Sequence, residues 1–146
     1  MLVLRKISKF DLRKYVEISY RGDNDLLDYY WGDGFSLQEA VNETMFGINQ
    51  VSEEVEMSHY SVLNNDEEIG YVSKFPHNLY SFSININHRK KENLIEFWER
   101  IKEVMEEGFI CMLYPQNVRA ANWLEKCGMV RVEGVENNCV VMLNIS

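Results

Sequence analysis

Arg89, Lys90 and Lys91, with His88 just ahead of them, put positive charge immediately before an amphipathic run over about residues 90–108. Cationic side chains beside the first turn of a helix can hold anions, because the unpaired backbone N–H groups there point outward and the helix dipole favours negative charge. The alternative is a solvated basic turn, since short charge runs usually lie on the surface. A second group, Asp25, Asp28, Tyr29, Tyr30 and Trp31, falls within residues 23–35. Carboxylates beside aromatic faces suit a cationic amine, through charge pairing and cation-π contact, or a protein partner. The competing reading tucks Leu26, Leu27, Tyr30 and Trp31 into the core and leaves the acids in water. Glu68, His77 and His88 have the chemistry of a general base, yet no spacing connects any of them to a substrate amine.

The three cysteines, Cys111, Cys127 and Cys139, form no C-x-x-C pair and have no histidine at ligand spacing. The expectation is reduced thiols in a cytoplasmic setting and no metal site. A net charge of -8 opposes binding to a nucleic-acid backbone, which needs clustered Lys and Arg. No run of ~18 apolar residues suggests a membrane span, and the N-terminal stretch lacks the pattern of a signal peptide. With 146 residues, 46% of them apolar, the chain is expected to form one domain over residues 1–146 around one packed core.

The elements that must carry these residues follow from periodicity. Residues 1–7 read as a strand, and Ser8 with Asp11 resembles a capping box ahead of a helix whose buried face holds Leu12, Tyr15, Val16 and Ile18, with Gly22 as its stop. Ser36 and Glu39 open a second helix through Ala40, Val41, Met45 and Ile48. Residues 60–63, 69–75 and 79–87 read as an antiparallel meander, with turns at residues 64–68 and 76–78. A third helix ends at Gly108, residues 109–114 form a short central strand, a fourth helix covers about 117–127, and residues 129–135 and 139–145 make a closing hairpin.

This order, together with Asn117-Val118-Arg119-Ala120-Ala121-Asn122-Trp123-Leu124-Glu125-Lys126-Cys127-Gly128-Met129, resembles the GCN5-related N-acetyltransferase (GNAT) superfamily and its N-x-x-A-x-x-L-Y-x-K-x-G-F segment. Asp66-Glu67-Glu68-Ile69-Gly70 resembles the turn into the family's third strand. Each matching residue also has a structural role to play: Asn117 as an N-cap, Ala120 and Ala121 for close helix–sheet approach, Gly128 as a helix stop.

The resemblance implies an α/β (α+β) fold, a mixed and mostly antiparallel sheet of about seven strands flanked by four helices. It implies acetyl-CoA as the cofactor of an active member, with Ile84, Ile86, Arg89, Lys90, Lys91 and Asn117 at its binding site. The family's R-x-x-G-x-G/A loop is matched by Arg89 but carries Glu92 and Leu94 in place of the residues without bulk, and Leu124 stands where a tyrosine often serves as general acid. Two functions remain open. One is a non-catalytic accessory, binding or structural protein, similar to phage-encoded and virion-associated relatives, located in the host cytoplasm or the virion and working with a protein partner or a second copy of itself. The other is an acetyl-CoA-dependent N-acetyltransferase acting on an amine. A gap between the fourth and fifth strands that is open, rather than filled by Leu94, Phe97 and Leu124, would favour cofactor binding.

Overall fold

The computed structural model describes residues 1–25, 36–113, 117–132 and 140–143. Strand β1 (Leu2–Ile7) is followed by a 3-10 turn (Lys9–Asp11), helices α1 (Leu12–Tyr20) and α2 (Leu37–Glu54), and the strands β2 (Ser58–Asn64), β3 (Glu67–Phe75) and β4 (Asn78–Ile84). A second 3-10 turn (Ile86–His88) leads to α3 (Lys91–Val104), then β5 (Ile110–Leu113), α4 (Val118–Lys126), β6 (Val130–Val132) and β7 (Val140–Leu143). Among the described residues, seven strands form one sheet in the order β1-β2-β3-β4-β5-β7-β6, antiparallel except where β4 meets β5. The expected mixed, mostly antiparallel sheet is therefore present, with four α-helices among the described residues. The closing strands pair antiparallel as expected, and β7 also inserts between β6 and β5.

Local chemistry accounts for most of the boundaries. Ser36 accepts from the Glu39 N–H while the Glu39 carboxylate accepts from the Ser36 N–H, the reciprocal capping box read in the sequence. Ser8 departs from the expectation. Its hydroxyl bonds the Asp11 carboxylate, a 3-10 turn intervenes, and α1 begins only at Leu12, so no side-chain cap forms. Residues Asn65 and Asp66, at φ 50 and 70, make the two-residue turn between β2 and β3, a left-handed conformation that Asn and Asp tolerate. The strand expected over residues 79–87 stops at Ile84, because the Asn85 side chain accepts from the Asn87 N–H and starts a turn instead.

Register divides the side chains of the sheet between two faces. Leu2, Val62, Val72 and Ile84 join Phe97, Trp98 and Ile101 of α3 and Ala121 and Leu124 of α4 in the larger core. The other face meets Leu12, Tyr15, Val16 and Tyr20 of α1 and Ala40, Val41 and Ile48 of α2, and it is unusually polar. There Tyr20 hydroxyl lies 2.8 Å from Thr44 and 3.2 Å from Tyr71, whose own hydroxyl bonds Ser81, while His59 Nδ1 sits 2.9 Å from Ser73 Oγ. Hydroxyls that partner one another can be buried at low cost. The thiol of Cys111 is buried and its pKa pushed up to about 12, and that of half-buried Cys127 to about 11, so both are protonated and inert at neutral pH. Cys139 lies outside the described residues. Among the described residues, no helix is long and apolar enough to cross a membrane, and no cluster of ligating side chains could hold a metal ion.

Gly70 has no room for a side chain: a Cβ there would lie 2.1 Å from the Ser83 carbonyl oxygen. Gly70→Ala should lower stability by about 2 kcal/mol, read as a reduced midpoint in urea unfolding, because backbone rather than a flexible side chain must move. Burial, with a smaller effect from Lys9, pushes the His59 imidazole below its usual value. The unfolded chain therefore binds a proton that the native state resists, and stability should fall as pH drops below about 6.5 toward the depressed native value. His59→Gln should flatten that part of the stability–pH curve.

Candidate functional site

The site begins where two strands part. β4 and β5 run parallel and are in register at one pair, Asn78 with Ile110, next to which the Ile110 N–H donates to the His77 carbonyl at 2.9 Å. Beyond that point every residue of β5 pairs with β7 instead. The edge of β4 from Phe82 to Ile84 is left facing a cleft of about 400 Å³. Ile84, Ile86, Arg89 and Asn117, four of the six residues predicted for a cofactor site, line it together with Leu94, Arg119 and Trp123.

Aromatic packing shapes its floor. The Trp123 ring stacks on Phe97 with centroids 5.9 Å apart, tilts against Phe82 at 5.8 Å and meets Trp98 edge-on at 5.9 Å. Rings in offset and edge-to-face contact make a rigid wall. Leu94 and Phe97 thus line the cleft without closing it, and Leu124, the third side chain that could have filled the gap, is fully buried in the core. At 0% exposure Leu124 has no path to a ligand, and its side chain supplies core packing.

The charge at the mouth is held by a residue the sequence reading passed over. Asp23 is fully buried, and its carboxylate lies 2.7 Å from Arg89 Nη1 and 3.4 Å from Arg119 Nη2. Arg89 also donates from Nε to the Ile84 carbonyl at 2.9 Å, with its other terminal nitrogen 3.5 Å from Ser83 Oγ. A buried carboxylate needs such partners, and the planar guanidinium forks supply them. Neither Asp23 nor Arg119 carries a site role in the sequence, where Arg119 is only part of the matched segment. Only a contact between residues 66 and 96 positions apart in the chain reveals their connection.

The remaining candidates separate. Lys90 and Lys91 are exposed at the start of α3 and lie outside the cleft lining, and Glu92 is exposed in the same turn, where its charge complements the helix dipole. Asn117 is the N-cap of α4, its side chain accepting from the Ala120 N–H at 3.2 Å, so the structural role set beside the functional one is occupied. Asp25 is exposed; Asp28, Tyr29, Tyr30 and Trp31 lie outside the described residues. Of the groups with the chemistry of a base, Glu68 pairs with Lys14 at 3.0 Å, His77 with Glu106 at 3.0 Å and His88 with Glu67 at 3.3 Å. None of the three lines the cleft. Among the described residues that do, there is no carboxylate, imidazole, thiol or phenol.

Comparison with solved structures agrees with this geometry. An acetyltransferase from Thermus thermophilus superposes with a TM-score of 0.72 at 13% identity, over 99% of this chain and 96% of its own. The fold is that of the GNAT acetyltransferases. Aminoglycoside acetyltransferase AAC(6')-Ib in complex with coenzyme A superposes at 0.69 with 16% identity, over 99% of this chain and 94% of that one. The PaiA N-acetyltransferase from Thermoplasma acidophilum, also in complex with coenzyme A, gives 0.66 at 14% identity, over 99% and 98%. No family model and no curated protein sequence matches the chain.

For coenzyme A, the apolar walls and the open edge of β4 would suit the pantetheine arm, whereas half-buried Leu94 in the same lining gives a diphosphate no hydrogen-bond donor. Arg89→Met should destabilise the protein by about 3 kcal/mol in urea unfolding, because it removes the guanidinium that lies 2.7 Å from the buried Asp23 carboxylate.

Proposed function

We propose that this protein is a GNAT-fold binding or structural module, an accessory protein of the kind found among phage virion-associated relatives, that has kept the family's cleft and given up acetyl transfer. The observation that carries this reading is Leu94. It stands in the cleft lining where a diphosphate would need close approach to bare backbone, and a half-buried leucine strips water from that charge without offering it a hydrogen bond and fills its space. Two further observations support it: Arg89 is already engaged by Asp23, and Leu124 cannot protonate a departing thiolate. The partner of such a module is a protein or a second copy of the chain, with Asp25, Asp28, Tyr29, Tyr30 and Trp31 as its proposed contact surface.

A second reading, an acetyl-CoA-dependent N-acetyltransferase acting on an amine of a small molecule or protein, is favoured by the open cleft itself. In that case coenzyme A would contribute the activated thioester. The β4 edge and the aromatic floor would orient its arm, and proton transfer would fall to solvent or to residues outside the described lining.

Calorimetric titration with acetyl-CoA and CoA decides between them. The unmodified protein should bind no more tightly than millimolar, and the paired substitution Glu92→Gly and Leu94→Gly should tighten binding by at least about tenfold. Micromolar binding by the unmodified protein, together with amine-dependent release of CoA thiol, would overturn the module reading.

A further inference from the structure

Arg89 and Arg119 come from different elements, the bend after β4 and the first turn of α4, yet both converge on one fully buried carboxylate. We propose that Asp23 is a built-in anion: it occupies the guanidinium pair at the mouth of the cleft, so that a diphosphate can bind there only by displacing it. The proposal rests on the reading above and gives a cause for it that is separate from Leu94.

Several contacts hold Asp23 in place. Gly22, at φ 79, turns the chain sharply after α1, and the Asp23 N–H donates to the Tyr20 carbonyl at 3.2 Å. From the opposite side, Asn85 Nδ2 donates to the Ile18 carbonyl at 2.8 Å and the Arg21 carbonyl at 3.0 Å, fastening the last turn of α1 to the bend that carries Arg89. The carboxylate is thus presented to Arg89 intramolecularly, and a tethered group at the right distance outcompetes a dissolved one without any stronger contact.

The ligand class follows from what the two arginines would face if Asp23 were neutral. Both line the cleft, and two guanidinium forks on one side of an opening match the oxygens of a diphosphate better than a single carboxylate. Arg89 is only partly exposed and would retain a charge without its closest counter-ion, a state that recruits an external anion.

Asp23→Asn keeps the shape and removes the charge. Inorganic pyrophosphate, titrated calorimetrically, should bind the Asp23→Asn protein on the order of tenfold more tightly than the unmodified one, the gain of a charge-assisted contact, and adding Arg89→Gln should abolish that gain. No gain, or a gain that survives Arg89→Gln, would refute the lock. Because the variant removes a buried charge and is at risk of unfolding, the unmodified protein provides a second test. Its Arg89 Nε–H signal in nitrogen-edited NMR should stay in place up to millimolar pyrophosphate, and a saturable shift at micromolar concentration would also refute the lock. Acetyl-CoA binding and thiol release test the module reading, whereas pyrophosphate tests the lock, so either can fail without the other.

Discussion

The parting of β4 from β5 is the constraint on which the rest of this molecule depends. A parallel pair that stays together would satisfy its backbone groups strand to strand and leave no opening. Here the two strands share one register pair before β5 turns its pairing to β7. Inserting β7 next to β5 gives that strand an antiparallel partner along its whole length, and this lets it leave β4 without stranding its own N–H and C=O groups. The edge of β4 that is left unpaired becomes one wall of the cleft, and α3 and α4 are set by the same divergence. Their aromatic side chains, Phe97 and Trp123, then provide the floor.

Within that frame, electrostatics and packing act in opposite directions. The opening is wide enough for a ligand and has apolar walls suited to a thin flexible chain. Its charged rim is turned inward. A buried carboxylate engages the guanidinium groups of both arginines that line the opening. The sheet's other face, with its chain of hydroxyls from Thr44 through Tyr20 and Tyr71 to Ser81, is polar but internally satisfied. Burial raises the Tyr71 phenol well above its usual value and keeps it neutral, so this network stiffens the join between α1, α2 and the sheet without offering an acid at neutral pH.

Much of the fold was legible in the sequence because it depends on local rules. Apolar spacing identified the buried faces of α1 and α3, Ser36 and Glu39 marked the start of α2 through mutual capping, and residues 64–68 marked a turn that the structure narrows to Asn65 and Asp66. Ser8 misled for the same reason: its spacing to Asp11 satisfies the motif, but the two side chains bond each other and the chain takes a 3-10 turn before the helix. Gly70, read only as part of a resemblance, has its physical cause in the 2.1 Å that a Cβ would leave to Ser83.

For the site, the sequence by itself determined which groups were available: a basic turn before α3, a leucine at position 94, a leucine at position 124, and Asn117 at the head of α4. It determined these because they are properties of single residues or of neighbours a few positions apart. Only the tertiary structure decided that Lys90 and Lys91 stay outside the cleft while Arg119 joins it, that Leu124 packs into the core instead of plugging the gap, and that Asp23 holds Arg89. Each of these outcomes is set by which face of the sheet a side chain reaches and by pairing across large separations in the chain, and local sequence patterns contain neither.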